Sequence, residues 1–139
     1  MNPILKNVLA VAAGILGGGI INFAIVMLGI QVVPLPAGVD PMDPVSMKAA
    51  IPNFTSAHYI FPFIAHALGT LAGAFICTKI AASYSQRLAL IIGFFFLLGG
   101  AYNVISYAAP MWFEILDLAV AYIPMAILGW NLAKGKDIV

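Results

Sequence analysis

The sequence predicts an all-α, polytopic membrane protein: four transmembrane helices in an antiparallel bundle, with both termini on the cytoplasmic side. Three observations carry this. First, 63% of the 139 residues are hydrophobic and only 8% are charged, with a mean hydropathy of +1.07. Soluble domains are nearer a quarter charged, so these few charges cannot cover a water-facing surface. Second, the apolar residues gather into four runs, each long enough to cross the hydrocarbon core as a helix. Third, the basic residues are one-sided. Lys6, Lys79, Arg87, Lys134 and Lys136 fall at the N-terminus, the turn between helices 2 and 3, and the C-terminus, and only Lys48 falls opposite. By the positive-inside rule the first group is cytoplasmic, which makes the chain a multi-pass protein of the inner (plasma) membrane.

The whole chain, 1–139, reads as one transmembrane domain. Helix 1 is expected over about 4–30, opened by Asn2 as cap and Pro3 in the first turn. Its apolar run is too long for a signal-peptide core and has no small-x-small cleavage site, so it is expected to be retained. Ala10, Gly14, Gly18 and Asn22 recur every four residues and share a face, with Gly17 and Gly19 widening the strip. Such a face lets a second helix backbone approach closely.

An outer loop follows over about 31–57, where Pro34, Pro36, Pro41, Pro44 and Pro52 forbid a continuous helix. Asp43 and Pro44 can cap a short helix over Val45 to Ile51, with Met47 and Ile51 on the membrane surface. Asn53-Phe54-Thr55 matches a glycosylation sequon, a three-residue pattern that chance supplies readily.

Helix 2 is expected over about 58–82, with a second small stripe at Ala65, Gly69, Gly73 and Cys77, and with His66 and Thr70 beside it. Tyr84 to Arg87 reads as a polar turn, and helix 3 follows over about 88–107, its Gly99 and Gly100 one turn before Asn103. Ser106 to Pro110 is a tight connection. Helix 4 runs over about 111–132, kinked at Pro124, which lacks a backbone donor and crowds the preceding turn. Asn131 to Val139 reads as a polar tail.

The polar residues inside these spans carry the functional question. At 1.5 Å rise per residue, Asn22 and His66 lie roughly 12 Å below the outer surface, Asp117 roughly 9 Å and Asn103 roughly 6 Å. Each helix thus brings one strong hydrogen-bonding residue into one layer of the outer leaflet, with Glu114 a turn above Asp117. All lie on or beside small-residue faces, which pack against protein. A carboxylate at such depth costs about 3 kcal/mol on insertion scales and is kept only where something meets it. We expect His66 to meet Asp117.

Three functions compete. Asn22, His66, Asn103, Glu114 and Asp117 could form a binding site for a small polar solute or a proton path, with His66 and Asp117 as the titrating pair. Alternatively, the chain is a membrane enzyme acting on a lipid headgroup. His66 would then be general base, Asp117 its orienting partner, Asn22 or Asn103 an oxyanion donor, and water, Ser106 or Thr70 the nucleophile. The plainest alternative is a structural accessory subunit, in which the polar layer locks helix register and the glycine stripes make a homo-oligomer contact. A cavity reaching His66 and Asp117 favours the first two, and a tightly packed layer favours the third.

Other classes are excluded. One cysteine, Cys77, leaves no internal disulfide and no CxxC redox or zinc pattern. Two histidines speak against a multi-histidine metal or bis-histidine haem site, and no metal or cofactor is expected. A net charge of +1 speaks against a nucleic-acid partner, and the expected partner is membrane lipid. Tyr59, Tyr107, Trp112 and Trp130 sit at span ends and read as interfacial-belt aromatics.

The strings Phe61-Pro-Phe-Ile-Ala-His-Ala-Leu-Gly-Thr70, Phe95-Phe-Leu-Leu-Gly-Gly-Ala-Tyr-Asn103 and Leu116-Asp-Leu-Ala-Val-Ala-Tyr-Ile-Pro-Met125 resemble a family of small uncharacterised bacterial four-helix integral membrane proteins. The resemblance implies a lineage and no activity. Small multidrug transporters are not resembled, because helix 1 carries no glutamate, nor are membrane thiol oxidoreductases, because the cysteine pair is missing.

Overall fold

The structure, a computed structural model, describes residues 1–135. Lys136 and the rest of the expected tail lie outside the described residues. The chain is all-helical among the described residues: α1 (Pro3–Val32), α2 (Pro44–Ala50), α3 (Ile60–Ile80), α4 (Ser85–Tyr107), α5 (Met111–Val120) and α6 (Ile123–Lys134). Four segments are long and apolar enough to cross a membrane: α1, Ser56–Ile80, α4 and Met111–Lys134.

Local chemistry sets the ends. The Asn2 side chain accepts the Ile4 N–H, and the Asp43 carboxylate accepts the N–H groups of Val45 and Ser46, so both expected caps form. Two short 3-10 turns, Ile51–Asn53 and Ser56–Tyr59, lead from α2 into α3. In the second, the His58 ring accepts the Thr55 N–H through Nδ1 and reaches the Pro34 carbonyl through Nε2, tying the two ends of the outer loop together. At the opposite end, the Asn7 side chain accepts the N–H groups of Ala82 and Ser83 and donates to the Ser83 hydroxyl, fixing the α3–α4 turn to α1. That turn is Ala81 to Tyr84, not Tyr84 to Arg87, because α4 already begins at Ser85. Likewise α6 continues to Lys134, so the residues from Asn131 onward begin as helix and not as tail.

The largest departure lies in the fourth span. The expected kinked helix over 111–132 is two helices, α5 and α6, separated at Ala121-Tyr122. Pro124 has no N–H for the Val120 carbonyl, and Tyr122 leaves the helical region with φ −117° and ψ −81°. Intrahelical bonding stops at Ala121 N–H to Asp117 and resumes at Ala126 N–H to Tyr122.

α3 is the central helix, packed against α1 on one side and α4 and α6 on the other. The small stripes meet as their spacing requires. A Cβ built on Gly14 would lie 2.7 Å from the Gly73 carbonyl oxygen, and one on Gly18 would lie 2.5 Å from that of Gly69. The α1 and α3 backbones therefore touch where only hydrogen fits. Gly19 and Gly99, by contrast, face nothing within 4 Å, so they do not belong to the packed strips. Burial is inverted relative to a water-soluble bundle. The buried residues are mostly Ala, Gly, Cys77 and Thr70, while Leu16, Ile20, Phe94, Leu98 and Ile105 stand exposed on the outside.

Candidate functional site

Asp117 sits on α5 one turn before the break, 4% exposed. His66 faces it from the second turn of α3, with Nδ1 2.9 Å from both carboxylate oxygens. A carboxylate only accepts, so the Nδ1 proton is shared between the two oxygens, and among the described residues Nε2 has no hydrogen-bond partner. A third group completes the arrangement. The Tyr122 hydroxyl donates to Asp117 Oδ2 at 2.7 Å, and its ring stacks on His66 at 5.8 Å between centroids. Both donors therefore converge on one buried carboxylate, which is how a buried charge is compensated.

Tyr122 was not legible as a site residue, and the reason is geometric. Residues five apart lie about 140° apart around a regular helix of 3.6 residues per turn. The break caused by Pro124 turns Tyr122 back toward Asp117. Gly100 on α4 makes the room, since a Cβ there would collide with the tyrosine hydroxyl and ring. The signal was present as Pro124, whose consequence is a change of face and not only of direction.

His66 and Asp117 stand at the floor of a cavity of about 440 Å³ at the end of the bundle that carries the outer loop. Asn22, Asn103 and Glu114 also line it, so all five residues of the expected polar layer reach one space. The walls are largely apolar: Phe23, Val26 and Met27 from α1, Val104 and Tyr107 from α4, and Phe113 from α5. The loop between α1 and α3 also contributes, through Pro41, Met42, Met47, Ile51 and Phe54. Met47 and Ile51 thus face this space. Tyr59 departs from the interfacial reading in the same way: it is 7% exposed, packs 4.9 Å from the Phe113 ring and lines the cavity. Tyr107 lines it too, while Trp112 is half exposed and Trp130 donates to the Ser85 hydroxyl at the other end.

The nucleophiles considered for an enzyme lie elsewhere. Thr70 donates its hydroxyl to the His66 carbonyl, and Ser106 lines a separate groove with Lys48 and Tyr107. Among the described residues, no group of three or more His, Cys, Asp or Glu side chains could hold a metal ion. Among the described residues, His66–Asp117 is the one contact at ion-pair distance.

No protein family, curated protein or solved structure shows significant similarity to this chain.

Proposed function

We propose that this chain is an integral membrane protein, with both termini cytoplasmic, that binds a small solute in a cavity opening to the outer side. The membrane reading is supported by the inverted burial, since an exposed surface of Leu, Ile and Phe on every long helix would associate in water and is at home in lipid. Orientation follows from charge: Lys6, Lys79, Arg87 and Lys134 all stand at the end of the bundle opposite the cavity.

One observation carries the binding role. A cavity of about 440 Å³, within the range of small-molecule sites, ends on a buried His66–Asp117–Tyr122 cluster and is rimmed by Asn22, Asn103 and Glu114. A polar layer serving only helix register would be packed shut. The space favours binding over the accessory-subunit alternative.

Native mass spectrometry of the protein purified in mild detergent tests this. The wild type should carry a small molecule that survives removal of bulk lipid. Val104→Trp, which fills the cavity from α4, should lose it while keeping its helix content. Identical adducts on both proteins would contradict the proposal.

A further inference from the structure

We infer that the solute is a lipophilic organic cation: a protonated amine or quaternary ammonium on an apolar body. The inference rests on the reading of the cavity as a solute site and adds the chemical class.

Charge decides the sign. Glu114 and Asp117 both line the cavity, and no Lys or Arg does. Asp117 already has two donors, whereas Glu114, one turn above it, has no ion-pair partner among the described residues. If His66 is protonated it cancels Asp117 and the cavity keeps the charge of Glu114. If His66 is neutral the cavity holds both negative charges. His58, the other histidine of the lining, uses Nδ1 to accept the Thr55 N–H and Nε2 to reach the Pro34 carbonyl, a pattern made by the neutral ring. With Glu114 ionised the cavity is negative whichever state His66 takes, and low-dielectric walls concentrate that field.

The walls decide the rest. Met27, Met42 and Met47 are adaptable and polarisable, and Tyr59, Tyr107 and Phe113 offer aromatic surface that attracts a cation. A bare metal ion is not what this space fits, given the missing ligand cluster. A phosphate or carboxylate would find like charges and no Lys or Arg, which speaks against an anionic headgroup.

Binding of tritiated tetraphenylphosphonium to the full-length protein, read by scintillation proximity so that micellar probe is not counted, tests the class. Saturable binding is expected, displaced by unlabelled tetraphenylphosphonium and not by tetraphenylborate, an ion of similar shape and opposite charge. Glu114→Gln should weaken it about tenfold, equivalent to about 1.4 kcal/mol, and Val104→Trp should abolish it. Displacement by aqueous tetrapropylammonium assigns a free amine, and displacement by stearylamine delivered in nanodiscs assigns a lipid amine. Absence of saturable binding, equal displacement by tetraphenylborate, or unchanged affinity in Glu114→Gln overturns the cation assignment. A wild-type adduct in native mass spectrometry that Val104→Trp removes would leave solute binding standing in each of those cases.

Discussion

Removing the Asp117 carboxylate should expose how much of the fold depends on its cluster. Asp117→Ala leaves two donors without an acceptor. Tyr122 is 2% exposed, so its stranded hydroxyl costs about 1–3 kcal/mol. The His66 side chain is 14% exposed and borders the cavity, so water replaces part of what it loses. Its share should be nearer the membrane average of about 0.6 kcal/mol. The single variant should therefore lose about 2–3 kcal/mol. His66→Ala should lose less, because Asp117 keeps the Tyr122 bond. The double variant should lose less than the two singles added together, since the second change removes a group already unsatisfied. The coupling should be about 0.6–1.7 kcal/mol, from the membrane average up to its upper end, because Nδ1 reaches both carboxylate oxygens. The assay is a double-mutant cycle on reversible unfolding in detergent. Additivity within about 0.3 kcal/mol would refute the pair.

The glycine contacts and the topology yield further tests. Gly18→Leu and Gly73→Leu should each destabilise by about 1–3 kcal/mol or more, since each must push two backbones apart, while Gly19→Leu, which meets nothing within 4 Å, should be tolerated. Equal melting shifts for Gly18→Leu and Gly19→Leu would contradict the packing. In intact cells, Val45→Cys on exposed α2 should react with an impermeant thiol reagent and Gln86→Cys should not, and the reverse labelling would invert the orientation.

Spacing and composition alone made much of this architecture readable. The spacing of Gly14, Gly18, Gly69 and Gly73 identified the faces along which α1 and α3 touch, because close backbone approach has few sequence solutions. Common depth and facing paired His66 with Asp117, which the structure places 2.9 Å apart. Gly19 and Gly99 were misassigned because a glycine in a span is equally compatible with a packed and an open face. Tyr122 escaped because a helix break changes which residues share a face. The cavity was not legible, since part of its lining is a proline-rich loop whose path depends on contacts distant in sequence, including the His58 link to Pro34. Met47, Ile51 and Tyr59 were placed at a surface for the same reason.

The central claim is an outward-opening cavity whose polar floor reaches into the outer leaflet. Accessibility of a cysteine at position 103 tests it most directly, because Asn103 lines the cavity from α4 and the native Cys77 is fully buried. In intact cells, Asn103→Cys should react with a small impermeant methanethiosulfonate added outside, and adding Val104→Trp should slow that reaction. Reaction only from the cytoplasmic side, or none in the folded protein, would contradict the account.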